Sequence, residues 1–326
     1  MSVPTSEPYV GARKEIALTK ETTRGTATPY AAGDWQPHEG FDFAPMVEKM
    51  RDERAKGRIE QVVKSYIHKR SSEGSIPLAV TKDFIGDIMN MIFGQAPTTT
   101  GPSGSIYTHS WTVKNSNRHQ SYSIHVKDPV AGMLKYALGM LNEAAFELSV
   151  DNYARVKLGM MASKEETGVA GTPSYSTDYE YPIWMPQEIT YKIAANVAGL
   201  AAETARDVNS LPFTVSKNTA KRFGLGQEEP IDIINQRLAV GGSITTVYDD
   251  LELRQLAHAR ATRALQIKFT DSTTILTLTF PQVAFEEWND DEDNNAYMNN
   301  TVAWFAQMDD TEGLMTATLE NIISIY

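Results

Sequence analysis

Hydrophobic and polar positions along this chain switch between a helical period and a strand period, and the switch occurs twice in the same order. Gly74, Ser75 and Ile76 open an apolar stretch that ends near Val80 and reads as a strand. Thr81 follows as a helix cap, and Phe84, Ile85, Ile88, Met89 and Ile92 fall on one face of a helix predicted over residues 83–94. Gly94 stands where a left-handed C-terminal residue is expected. Further on, Gly242, Ser243 and Ile244 open a strand ending at Tyr248, Asp249 supplies the cap, and Leu253, Leu256 and Ala257 supply the face. Ser75 and Ser243 are 168 positions apart, and the same spacing carries Ile85, Ile88 and Met89 onto Leu253, Leu256 and Ala257.

Each helix is followed by two stretches of alternating character, the mark of a half-buried strand. In the first copy these are Tyr107, His109, Trp111 and Val113, then Tyr122, Ile124 and Val126. In the second they are Leu265, Ile267 and Phe269, then Leu276, Leu278 and Phe280. The spacing between copies shortens here because the first inserts a Gly/Pro/Thr-rich run, residues 95–105, read as a loop. Both copies close on further alternation: Phe146, Leu148, Val150 and Val156, Leu158, Met160 in one, Val302, Trp304, Ala306, Met308 in the other. Residues 163–186, rich in Gly, Ser, Thr, Tyr and Pro, carry neither period and read as a linker. The expected organisation is mainly β with α: an N-terminal arm over 1–13, a first domain over 14–162, the linker, and a second domain over 187–326.

Composition narrows the function. A chain of 326 residues with 41% hydrophobic content can fill two cores. Its longest apolar stretches, residues 88–93 and 194–202, fall well short of the roughly 20 residues that span a bilayer, so a soluble chain is expected. The N-terminal segment lacks the basic and apolar regions of a secretory signal. With no cysteine there is no disulfide, thiolate nucleophile or cysteine-ligated metal. A net charge of -11 argues against tight nucleic-acid binding, which depends on cations displacing phosphate counterions.

Candidate chemistry is sparse. No nucleophile elbow, metalloprotease helix, phosphate-binding lysine loop or dinucleotide fingerprint occurs. Glu286 and Glu287 are adjacent on an extended segment, where side chains point to opposite faces and cannot share a substrate. Neither an enzymatic activity nor a cofactor is expected. The acidic run containing Asp290, Asp291, Glu292 and Asp293 invites a calcium reading, but an EF-hand loop begun at Asp291 needs glycine at 296 and glutamate at 302, where Ala296 and Val302 stand. It reads as a solvated acidic loop, or as charge on an assembly face. If a hairpin turns near Asn117, His109 and His125 lie opposite each other, as exposed cross-strand histidines or as a two-imidazole metal site. Trp111, Trp288 and Trp304 could form an aromatic platform for sugars, or fill the core.

Two charged segments occupy equivalent places ahead of the Gly-Ser-Ile motifs, residues 43–58 and 213–232, and both read as loops. Glu48, Lys49, Arg51, Asp52, Glu53, Arg54, Lys56 and Arg58 crowd the first. Lys217, Lys221, Arg222, Glu228 and Glu229 crowd the second. Mixed charge sets register and partner choice more than raw affinity.

The segment from Glu21 to Ala27 (ETTRGTA) after a first strand, the passage Glu73-Gly74-Ser75-Ile76-Pro77-Leu78 into a helix, and Tyr107-Thr108-His109 follow one another in an order that resembles the double-domain tail tube proteins of long-tailed bacteriophages. The resemblance spans nearly the whole chain. It implies two tandem domains, each a two-sheet β-sandwich or barrel-like unit with one flanking helix. It also implies assembly into rings that stack into a tube through which DNA leaves the virion, without sequence-specific binding. Partners would be copies of the chain itself, the tape measure protein in the lumen, and the terminator and tip proteins at the ends, with assembly in the host cytoplasm and residence in the virion. Six domains per ring would be supplied by three chains. The shorter, more basic second helix, with Arg254, Arg260 and Arg263, leaves open a ring of six chains with the second domain outside. In this family a loop placed like residues 43–58 reaches the next ring, which makes the two charged segments candidates for stacking. A carbohydrate- or receptor-binding module of the tail tip is the alternative.

Overall fold

A computed structural model describes residues 10–31, 33–54, 57, 59, 64–175, 182–247, 251–259, 261–291 and 298–326. The protein is mainly β, with two α-helices among the described residues, α1 (Ile85–Phe93) and α2 (Glu252–Ala259). Strand pairing repeats. In the first half, Glu15–Lys20 pairs with Tyr122–Asp128, which pairs with the start of the long strand Gly132–Ser149. The far end of that strand pairs with Asn152–Ala162, then come Lys64–Ala79 and Asp42–Asp52. In the second half, Ile189–Ala194 pairs with Thr262–Thr270, which pairs with the start of Ile275–Asp291. Its far end pairs with Asn299–Gln307, then come Ala239–Val247 and Phe213–Ser216.

In each half one long strand therefore belongs to two sheets, and it carries a bulge close to where it changes sheet. The register shifts between Leu141 and Glu143 in one copy and between Phe285 and Trp288 in the other, one extra residue each time. A bulge bends and twists the strand that carries it, which lets one strand turn the corner of a sandwich.

The repeated Gly-Ser-Ile motif has a steric origin. A Cβ on Gly74 would sit 1.7 Å from the Asp42 carbonyl oxygen, and one on Gly242 would sit 2.4 Å from that of Pro212. Both glycines let the neighbouring strand cross at backbone contact, and Gly74 also has φ 152°, a conformation that L side chains rarely adopt. The isoleucine two residues on is fully buried in both copies.

Helix α1 is buried almost all round, with Ile85, Ile88 and Met89 inaccessible to solvent, whereas α2 buries Leu253 and Leu256 and leaves Ala257 half-covered. Gly94 closes α1 in the left-handed conformation at φ 77°. Thr81 accepts a long bond from the Phe84 amide and lies one turn ahead of the helix, so the cap position is Phe84. One hydrophobic cluster runs through both halves, from Ile16 to Leu319.

Several expectations are corrected. Residues 43–58 are not a loop: Asp42–Asp52 and Lys64–Ala79 form a long hairpin arm, because Phe43 and Ala44 continue a ladder that the charged residues extend. Residues 213–232 likewise contain the strands Phe213–Ser216 and Ala220–Arg222. The insertion at 95–105 is part of a hairpin, Thr98–Ser103 with Ile106–Thr112. That hairpin takes Ile106–Thr112 away from Tyr122–Asp128, so His109 and His125 do not face each other. Both are buried: the His109 ring is bonded to Thr99 Oγ1 and the Ile323 carbonyl, and His125 to the Thr28 carbonyl. The segment expected as a linker contributes the strand Glu165–Thr167 and the buried Trp184 to the body.

Ile88→Ala should lower stability by about 2–5 kcal/mol, since Ile88 is fully buried in the cluster that runs through both halves and its loss leaves a cavity; urea denaturation measures it, and a loss below about 0.5 kcal/mol would contradict this packing.

Candidate assembly interface

The two halves meet through their sheets. Phe213–Ser216 inserts between Ala239–Val247 of its own half and residues 143–146 of the first, in the register Phe213 with Phe146, Thr214 with Ala145, Val215 with Ala144 and Ser216 with Glu143. The Phe146 and Phe213 rings stack at 4.6 Å and 9° across this joint. One residue on, the Lys217 amide donates to the Asn142 carbonyl at 2.7 Å, and Asn142 Oδ1 accepts from the amide and hydroxyl of Thr219. The result is one continuous eight-stranded sheet with four strands from each half. In the facing sheet Ile106–Thr112 pairs with Thr316–Asn321, a second strand-to-strand crossing between halves.

A charged lock closes beside the joint. Buried Glu21 accepts from the Gly25 amide, the Ser121 hydroxyl and the Leu138 amide, which fixes the turn that carries Arg24. The Arg24 guanidinium reaches Asp232 Oδ1 at 2.8 and 2.9 Å and the carbonyls of His119 and Ile233 at 2.5 Å. Arg118 takes the other oxygen of Asp232 at 3.0 Å. Two cations of the first half thus share one buried carboxylate of the second, and losing that carboxylate would strand Arg24. The Lys217 ammonium donates to the Met91 carbonyl at 2.5 Å, at the C-terminal end of α1 where a cation is favoured. Burial, and then the charge of Arg24, lower its pKa from 10.5 to about 7. Burial, reinforced by Lys217, pushes His119 down to about 4.

The segment that follows Phe213–Ser216 lies on the base of the hairpin arm. Lys221 binds Glu73 at 2.6 Å and Ser71 at 2.9 Å, Glu228 pairs with Arg70 at 3.0 Å, and Glu229 pairs with Lys164 at 2.5 Å. Of the stacking candidates in this segment, Lys217 is 1% exposed and is a lock within the chain rather than a surface charge. Lys221, Glu228 and Glu229 are engaged within the chain, and Arg222 is exposed. On the arm, Glu48 pairs with Lys69 at 3.3 Å and His68 at 3.6 Å, and Arg54 forks onto Asp52 at 2.8 and 2.9 Å. Lys49, Arg51 and Glu53 are exposed, as are the apolar Met46, Val47, Met50 and Tyr66. Lys56, Arg58, Glu292 and Asp293 lie outside the described residues. Asp290 and Asp291 end the strand Ile275–Asp291, paired with Asn300 and Asn299.

Among the described residues the eight-stranded sheet ends on two strands with a single neighbour in that sheet, Asp42–Asp52 at one side and residues 287–291 at the other. No group of three or more His, Asp or Glu is placed to hold a metal among these residues, and no helix is long and apolar enough to cross a membrane. Trp111 and Trp304 are 1% and 2% exposed, so the sugar platform does not form. Sequence reasoning missed Arg118 and Asp232; the only signal for the lock was Arg24 within its motif.

Two copies of one β unit, fused through both sheets and open at both ends, define a structural building block. A family profile for phage tail tube proteins matches residues 11–306. The chain belongs to that family and is a structural protein of the phage tail tube, a role that implies no enzymatic activity. No curated protein matches the chain significantly.

Folded Lys217 releases its proton near pH 7, whereas the unfolded side chain holds it to about pH 10, so the unfolded chain binds more protons in that window and stability rises with pH across it. The melting temperature of the parent chain relative to Lys217→Met should therefore climb between pH 7 and pH 10; a flat or falling difference contradicts the burial of this cation.

Proposed function

We propose that three copies of this chain close a ring of six tube units, that rings stack into the tail tube, and that DNA passes through the lumen into the host. The observation that carries this reading is the joint inside the chain: two like units already continue one sheet, a head-to-tail contact of the kind that can be repeated from chain to chain around a ring. The face of the eight-stranded sheet turned from the core would line the lumen. It presents Ser75, Thr214, Ser216, Ser243 and Thr301, with Glu143 and Glu147 beside Arg155 and Lys157. Small neutral groups, with the exposed carboxylates of Asp42, Glu143 and Glu147 outnumbering Arg155 and Lys157 on this face of a chain of net charge -11, favour passage of a duplex over retention. The tape measure protein would occupy this lumen before ejection, and the terminator and tip proteins would cap the ends.

The hairpin arm is the stacking element. A two-stranded hairpin standing alone is marginal in water, and this one exposes Met46, Val47, Met50 and Tyr66 among charges of both signs, a surface suited to covering by a neighbouring ring. Each exposed ion pair contributes about 0–1 kcal/mol, so register between rings comes from many weak contacts repeated around the circumference.

Negative-stain electron microscopy of the purified chain should show stacked hollow rings. Deleting residues 46–55 should leave a folded protein that fails to elongate, while Lys49→Ala should assemble nearly normally; long tubes from the deletion variant would remove the arm from the stacking contact.

A further inference from the structure

The repeat is regular enough to give the contact between chains residue by residue. Ile76 pairs with Leu158 and Ile244 with Val302, which makes Leu158 and Val302 equivalent. Ala144 pairs with Leu158 and Trp288 with Val302, which makes Ala144 and Trp288 equivalent, each beyond the same one-residue bulge. On the other edge Phe43 pairs with Gly74 and Phe213 with Gly242, and the two glycines meet the equivalent carbonyls of Asp42 and Pro212. Phe43 therefore stands where Phe213 stands, and Pro45 where Val215 stands. Inside the chain, Val215 lies opposite Ala144.

We propose that residues 287–290 of one chain pair antiparallel with residues 43–46 of the next, placing Phe43 opposite Asp290, Ala44 opposite Asn289, Pro45 opposite Trp288 and Met46 opposite Glu287. The proposal rests on the ring reading above and specifies its joint. Both edges carry exposed residues: Ala44, Pro45 and Met46 on one, Glu287 and Asn289 on the other.

Pro45 costs this register one hydrogen bond but leaves the arm intact. The bond from the Lys217 amide to the Asn142 carbonyl fixes the alternation of the internal joint, so the amides of Phe213, Val215 and Lys217 all point across it. At the place of Val215, Pro45 turns its missing N–H outward and leaves the ladder to Lys64–Ala79 whole, the position in which an edge strand tolerates proline. The joint between chains then has one amide fewer than the joint within a chain, and the Pro45 carbonyl remains as an acceptor.

The experiment uses the absence of cysteine in the chain. Thr214 and Ala145 form a pair without mutual hydrogen bonds, where Cα atoms lie about 4.5 Å apart, and Ala44 with Asn289 takes the same place between chains. Within one chain these two residues lie on opposite edges, seven strand spacings or about 33 Å apart, so any bond between them joins two chains. Full-length protein carrying Ala44→Cys and Asn289→Cys is assembled, oxidised mildly and run on a non-reducing gel, with the same sample viewed by electron microscopy. The expected result is linkage of most chains, with bands ending at three. The pair Met46→Cys and Asn289→Cys, two positions out of register, should link about tenfold less. The pair Ala145→Cys and Thr214→Cys should lose both thiols without change of mass. Tubes that link at Met46 and not at Ala44, or that link at neither, overturn the register while the ring reading stands. A chain that remains monomeric under every condition overturns both.

Discussion

Backbone hydrogen bonding at the edge of a sheet is the constraint on which this structure depends. An edge strand presents unpaired N–H and C=O groups, and a protein must shorten it, charge it, cover it or pair it. Here the first unit satisfies one edge by continuing into the second through Phe213–Ser216. Because the units are alike, the edges that remain are the counterparts of the two strands that meet at the internal joint. On the ring reading proposed above, assembly would repeat between chains the strand pairing made within one.

The duplication is not a mere copy. Helix α1 lies at the joint and is sealed by parts of the second half: a Cβ on Gly86 would meet the Tyr326 ring at 2.2 Å, and Lys217 binds the carbonyl of Met91. Helix α2 stands beside the open end, with Leu251 just ahead of it half exposed. The hairpin Thr98–Ser103 with Ile106–Thr112, whose first strand lies in the inserted stretch of the first copy, extends the facing sheet of the second half. The internal joint thus has features of its own, including the lock of Arg24, Arg118 and Asp232, which ties the two halves together.

Much of this was legible in the sequence because period and glycine placement are local properties. The 168-residue spacing of the Gly-Ser-Ile motifs, the face of α1 and the left-handed Gly94 all follow from short-range stereochemistry. What was not legible is pairing between distant strands. The hairpin assumed around Asn117 was wrong because Ile106–Thr112 finds Thr316–Asn321, some two hundred residues away, and alternation alone does not name a partner. The charged segment 43–58 looked like a loop because both faces of the arm are solvated, which removes the alternation that marks a strand. Lys217 looked like a surface charge for the same reason: nothing in the neighbouring residues announces the carbonyl it binds.

The symmetry of the assembled tube bears most directly on the idea that one sheet joint is used both within and between chains. Cryo-electron microscopy of the tubes should give three chains per ring, with first and second units alternating around a wall of near-sixfold appearance and the eight-stranded sheets running on from chain to chain. Six complete chains per ring, with the second unit outside the wall, would contradict it.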